Sequence, residues 1–169
     1  MTENDDDEIL LRMATEADLE AVVAIERASF QEPPWSWRSF ASLLDDPYAR
    51  FKVACDARAG IVTGYIVTWI IVEDAEIANL AVAPDWRARG VGGRLLDAAV
   101  AEAVTSGVRR LHLEVRESNR AAQLLYGSRG FVAVGRRKNY YRSPVEDALL
   151  FSRIVRDESG ADSQVMGTP

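Results

Sequence analysis

Residues 79–100 read NLAVAPDWRARGVGGRLLDAAV. The stretch begins as the apolar end of a strand and breaks at Pro84. It then gathers Arg87, Arg89 and Arg94 around Gly90, Gly92 and Gly93. An apolar helical pattern runs on from Val91 to about Ser106, and Gly107 stands where a helix-terminating glycine belongs. Glycine lets the backbone approach a ligand closely and adopt positive φ. The first turn of a helix presents unpaired N–H groups at the positive end of its dipole. Together these features predict a phosphate site, to which the arginines add fork-shaped donors. The alternative reading is a loop with solvated arginines. A Walker loop is excluded, because no Gly-Lys-Ser/Thr occurs. A dinucleotide fingerprint fits poorly, since GVGGRL lies mid-chain and lacks the last small residue.

The elements on either side set the fold class. Upstream, ARFKVACDA, GIVTGYIVTWIIV and AEIANLAV are β-rich and separated by turn-like linkers, which predicts three consecutive antiparallel strands. Before them EILLRMA reads as a first strand. Thr15 and Asp18 have capping-box spacing ahead of a helix bearing Leu19, Val22, Val23 and Ile25. QEPPWSW breaks that helix, Ser36 caps a second one, and Pro47 ends it. Downstream, VRRLHLEV is a strand, Asn119 caps RAAQLLYGSR, and Gly130 terminates that helix. FVAVGRRKNYY and VEDALLFSRIV close the domain as two further strands. A strand–helix–strand–helix unit within this order requires a parallel pair. The expected architecture is a single α/β (α+β) domain with a mixed, mostly antiparallel sheet flanked by helices.

A chain of 169 residues suits one such domain, and 48% apolar with 27% charged residues is ordinary for a globular protein. No apolar run approaches the ~20 residues of a membrane span, and MTENDDDE lacks the pattern of a signal peptide. These features place the chain in the cytoplasm with no membrane partner. The single cysteine, Cys55, excludes an internal disulfide. With His112 the only histidine, no metal-ligand cluster is expected.

The net charge of −6 is carried by the ends: residues 1–8 hold five acids, and 157–169 hold three, with no basic partner. We expect disordered tails over 1–8 and 156–169 around a domain spanning 9–155. Residues 86–142 hold twelve Lys or Arg against four Asp or Glu, so this half would attract polyanions such as nucleic acid, nucleotides or phosphorylated cofactors.

Four groups of side chains are chemical candidates. In LHLEVRESN, alternation sets His112, Glu114 and Arg116 on the strand face opposite Leu111, Leu113 and Val115. An acid within an apolar strand needs a partner or a task. Glu114 is therefore an ion-pair member, with Arg116 or another arginine, or a general base. On pattern alone Tyr126 is a core residue of an amphipathic helix, and Asn119 is a helix cap. Cys55 lies in an apolar strand and reads as a buried structural thiol. Trp35, Trp37, Tyr140 and Tyr141 read equally well as core or as the lining of a cleft.

The 79–100 stretch resembles the acetyl-CoA motif of the GCN5-related N-acetyltransferases, with Arg87-Ala-Arg-Gly90-Val-Gly92 at its centre. LEVRESNRAAQLLYGSRGF resembles that family's next motif. RKNYY and PPWSW are similar to a branch that acetylates the N-terminal alanine of a ribosomal protein. The likeness covers residues 9 to 155 in the right order. It implies acetyl-CoA as cosubstrate and no metal. The backbone of Arg87, Ala88, Arg89, Gly90, Val91, Gly92 and Gly93 would cradle the pyrophosphate. Leu80, Ala81 and Val82 would flank the pantetheine arm, and Asn119 would contact the cofactor. Glu114 would be the general base and Tyr126 the general acid, with Trp35, Tyr140 and Tyr141 near the peptide groove. Gly93 departs from relatives that carry a larger, often basic residue there. The implied acceptor is the N-terminus of ribosomal small-subunit protein eighteen or of another protein, and no direct nucleic-acid binding is expected. A small-amine acetyltransferase and a non-catalytic acetyl-CoA-binding module remain the alternatives.

Overall fold

The apolar alternation of the chain's strands is buried on both faces of one sheet. The computed structural model describes residues 9–155, so both expected tails lie outside the described residues. Strand β1 (Ile9–Met13) leads into helices α1 (Leu19–Ser29) and α2 (Trp37–Leu43). Strands β2 (Ala49–Asp56), β3 (Val62–Ile71) and β4 (Asp74–Val82) follow, then α3 (Val91–Thr105), β5 (Arg110–Arg116), α4 (Arg120–Ser128), β6 (Val132–Arg142) and β7 (Val145–Ile154). The sheet order is β1-β2-β3-β4-β5-β7-β6, and the one parallel pair is β4–β5. This is the mixed, mostly antiparallel sheet that the sequence predicts, in the predicted order of elements.

Period-2 alternation divides the core in two. Phe51, Val53, Tyr65 and Val67 face α1 and α2, where Leu19, Val22, Phe40 and Leu43 meet them. Ile66, Ile77, Leu111, Leu113 and Val115 face the other way, toward Leu95, Leu96 and Ala99 of α3 and Tyr126 of α4. The aromatic cluster of Phe40, Phe51 and Tyr65 packs with ring centroids 5.3–6.3 Å apart.

Local signals act as the residue types dictate. Ser36 accepts from the Ser39 N–H at 3.1 Å and Asn119 from the Ala122 N–H at 3.1 Å. Asp18 accepts from the Thr15 N–H at 2.8 Å, but it does more than cap. Its carboxylate also takes both guanidinium nitrogens of Arg12, at 2.7 and 2.8 Å, tying β1 to the start of α1.

One irregularity opens the site. β4 and β5 pair from Asp74↔Arg110 to Ile77↔Leu113 and then diverge. The register of β3 against β4 slips at the same level, pairing Thr68 with Ile77 and Val67 with Asn79 and leaving Ala78 as the extra residue. Beyond Ile77 and Leu113 the two strands form the lips of a gap.

Candidate active site

A cleft of about 910 Å³ fills this gap. One end lies at the glycine loop and the start of α3. Gly90, in the left-handed conformation at φ 79°, is the helix N-cap, and a Cβ there would meet no atom within 4 Å. Ala88 is also left-handed, at φ 59°, a strain that non-glycine residues carry mainly at functional positions. The loop thus turns its backbone and the first N–H groups of α3 toward open space, a donor set suited to phosphate. Arg87 is aimed by its own contacts, donating to the Val82 carbonyl at 3.1 Å and to the Ser29 hydroxyl at 3.2 Å. At Gly93 a Cβ would meet the Arg129 guanidinium, which lies over this position and pairs with Asp97 at 3.2 Å. Here the missing side chain makes room for Arg129, the residue that follows α4.

Of the residues singled out in the sequence, Leu80, Ala81, Val82, Arg87, Ala88, Gly90, Val91, Gly92, Gly93, Asn119, Glu114, Tyr126, Trp35 and Tyr141 all line this cleft. Arg89 and Tyr140 do not. The Arg89 guanidinium sits 5.0 Å above the Trp86 ring. Tyr140 is half exposed and packs edge-on against Tyr141 with centroids 5.2 Å apart. Its hydroxyl pKa is raised mainly by the Glu114 carboxylate, so it stands at the rim beside that residue. Trp37 is exposed and belongs to neither core nor cleft. Cys55 is buried among the α1–α2 core residues, and burial pushes its thiol up, which removes it as a nucleophile.

Glu114 lines the cleft and makes an ion pair. Its partner is Arg137 of β6, with Nε 2.7 Å from Oε1, not Arg116. Arg116 is instead held by Glu32 at 3.1 Å and Glu146 at 2.9 Å, with its guanidinium carbon 4.0 Å from the Tyr141 ring centroid. Glu32 further accepts from the backbone N–H groups of Arg142 and Ser143, and these donors hold its carboxyl below the usual range. The α1–α2 connection is thereby fastened to the β6–β7 hairpin across the cleft.

Tyr126 belongs to both the core and the cleft wall. Its ring packs against Phe131 and Phe151, yet it lines the cleft. Burial, with a smaller contribution from Tyr141, pushes its hydroxyl up to about 12, so it keeps its proton at neutral pH. Tyr141 is likewise pushed up to about 12, by burial and then by Glu114. The cleft therefore carries two protonated phenols beside its glutamates.

Sequence reasoning missed Glu26 and Asn79, both of which line the cleft. Glu26 lies on the buried stripe of α1 with Leu19, Val22 and Val23, and an acid in that register is the signal that was there to be read. Arg129 and the Glu32–Arg116–Glu146 group had no local signal. Among the described residues no cluster of His, Cys, Asp and Glu is arranged to hold a metal, and no helix is long and apolar enough to cross a membrane.

The chain is similar to known proteins in both sequence and fold. The model of the acetyltransferase (GNAT) family matches residues 19–131. The ribosomal protein bS18-alanine N-acetyltransferase of Salmonella typhimurium is 36% identical over 137 residues, 80% of this chain and 90% of that protein. A Bacillus subtilis protein that carries the same name provisionally is 42% identical over 134 residues, 79% of this chain and 87% of that one. The crystal structure of the ribosomal-protein-S18-alanine N-acetyltransferase from Escherichia coli superposes with a TM-score of 0.80 at 31% identity, covering 90% of this chain and 98% of that one.

Proposed function

Because the chain belongs to the acetyltransferase (GNAT) family, we propose that it acetylates the α-amino group of an N-terminal alanine, that of ribosomal protein bS18, in the cytoplasm. The family's cosubstrate, acetyl-CoA, supplies an activated acetyl thioester. The observation that carries the reading is the joint placement of Glu114 and Tyr126 on the cleft that begins at the glycine loop.

The chain's residues divide the work. The backbone from Arg87 to Gly93 and the α3 N-terminus hold the pyrophosphate. Leu80, Ala81 and Val82 run beside the pantetheine arm, and Asn119, its Oδ1 committed to capping α4, has its amide group left for the cofactor. A protein α-amine has a pKa of ~7.7–8.0, against ~10.4 for lysine, so near neutral pH much of it is already nucleophilic. Glu114 then has only to accept one proton, directly or through a water. Tyr126 faces the departing sulfur. A thiol has a pKa of ~8.5, so full proton transfer from a phenol at about 12 is uphill. Tyr126 therefore acts by donating a hydrogen bond to the thiolate. Trp35, Tyr140 and Tyr141 border the acceptor groove, where the Glu32–Arg116–Glu146 group braces the walls.

The test is coenzyme A release with acetyl-CoA and a short peptide that starts with the bS18 N-terminal sequence. Turnover that vanishes when the peptide's N-terminus is blocked, and that drops by about 10²–10⁴ in Glu114→Gln, is the expected result. Undiminished turnover of the blocked peptide, or an unaffected Glu114→Gln enzyme, contradicts it.

A further inference from the structure

Glu26 is a carboxylate only 2% exposed, and no cation pairs with it among the described residues. A buried, unpaired acid is expensive and has to be compensated by donors. Three are supplied. The Trp35 backbone N–H donates to Oε1 at 2.9 Å, and the Tyr65 hydroxyl and the Asn79 Nδ2 (3.0 Å) donate to Oε2. The Asn79 amide also lies beside the Tyr65 hydroxyl. This arrangement fixes which way the Asn79 amide points. Its NH₂ must face the carboxylate, because its carbonyl there would set oxygen against oxygen.

The Asn79 carbonyl is then turned away from Glu26. No donor among the described residues meets Oδ1, and yet no buried side-chain oxygen or nitrogen among them lacks a partner. Oδ1 is therefore accessible, and the accessible space beside Asn79 is the cleft. Asn79 also occupies a particular place there. Ile77 and Leu113 are the last paired residues of β4 and β5. Just beyond them Asn79 and Glu114 stand on opposite lips of the gap. Both lie on the sheet face that α1 shares, since Leu113 and Val115 face α3, and Asn79 reaches Glu26 on α1.

We propose that Asn79 binds the acceptor amine, its Oδ1 accepting one N–H of the attacking nitrogen, and that Glu26 is a positioning residue that locks the amide in this orientation. The assignment rests on the acetyl-transfer reading. A primary amine that attacks a carbonyl carbon must aim its lone pair at that carbon. Glu114 takes one proton as the N–C bond forms, and a remaining N–H needs an acceptor on the other side. An oxygen fixed on the opposite lip supplies it and orients the lone pair. The slip in register around Ala78 makes this possible, because it puts Asn79 on the α1 face at the level where the strands part.

The experiment compares Asn79→Ala, Glu26→Gln, the double variant and Tyr65→Phe for kcat and KM with the alanine peptide, the Kd of acetyl-CoA, and Tm. Tyr65→Phe is the structural control, since it removes a donor from Glu26 while leaving the hydrogen bond from the Asn79 amide to Glu26 in place. Asn79→Ala should lower kcat/KM by about ten- to a hundredfold, the usual worth of a hydrogen bond to a group that becomes charged. Acetyl-CoA binding should stay within about twofold. Glu26→Gln should lower kcat/KM as well, and the double variant should be no worse than Asn79→Ala, because Glu26 acts through Asn79. Losses that simply multiply in the double variant, an equal loss in Tyr65→Phe, or an unchanged Asn79→Ala enzyme would each overturn the assignment. If Glu26→Gln fails to fold, the contrast between Asn79→Ala and Tyr65→Phe still decides. Wild-type turnover of the peptide reports on acetyl transfer itself, so a failure there overturns the reading of the site, and is told apart from a failure of Asn79 alone.

Discussion

At the scale of single residues, the account turns on protonation. Tyr126, buried and pushed up to about 12, holds its proton at neutral pH. The rate with a saturating peptide should climb as pH passes through the α-amine's ~7.7–8.0 and then level off, with no fall from Tyr126 ionisation below pH ~10. Tyr126→Phe should lower kcat by about 10- to 100-fold, the loss of one hydrogen bond to a charged leaving group, and leave the shape of the pH profile unchanged. A pH–rate series on both enzymes checks this, and a decline near pH 8 that disappears in Tyr126→Phe would sink the assignment. Which residues were legible in the sequence follows the same local logic. The face of Glu114, the caps at Ser36 and Asn119, and the left-handed Gly107 and Gly130 each depend on a few neighbours, and each is as expected. The partner of Glu114 was not legible. Arg137 lies on β6, which β7 separates from β5 in the sheet, so the pair forms across an intervening strand that no local pattern announces.

At the scale of elements, the junctions that hold the site carry measurable stability. Asp18, its side chain nearly buried, joins β1 to α1 through Arg12, whose guanidinium holds its pKa below the usual carboxylate range. A depressed pKa contributes stability that is present above the unfolded value of ~3.9 and is lost as pH falls through the folded value. Asp18→Asn should therefore cost about 1–2 kcal/mol at pH 7, and its deficit should shrink below pH ~4, as read by urea unfolding at pH 7 and pH 3.5. Gly64 on β3 is a second junction. A Cβ there would lie 2.9 Å from the Ala81 carbonyl oxygen and 3.1 Å from Leu95 Cδ1. The carbonyl is backbone and cannot swing aside, so Gly64→Ala should push β4 outward where Ala81 lines the cleft. The expected outcome is a loss of about 1–3 kcal/mol in unfolding free energy, with a weaker acetyl-CoA Kd alongside it. The order of these elements was legible because each announces itself through periodicity and punctuation. The network of Glu26, Tyr65 and Asn79 joins residues up to 53 positions apart, and only the assembled sheet brings them together.

At the scale of the whole molecule, the sheet divides the labour. In the proposed reaction the β4 lip, with α3, would hold the anionic cosubstrate, and the β5 lip, with the β6–β7 hairpin, would bring Glu114 and Tyr141 to the acceptor. Five of the twelve Lys and Arg of residues 86–142, Arg109, Arg116, Arg129, Arg136 and Arg137, stand in ion pairs within the fold. The central claim is that this cleft takes a chain end and not a side-chain amine. The most direct measurement offers the enzyme a peptide that has both a free N-terminal alanine and an internal lysine, and maps the acetyl group by fragment mass. Acetylation at the α-nitrogen alone, with the lysine unmodified, is the expected result. An acetyl group on the lysine, with the N-terminus left free, would contradict it.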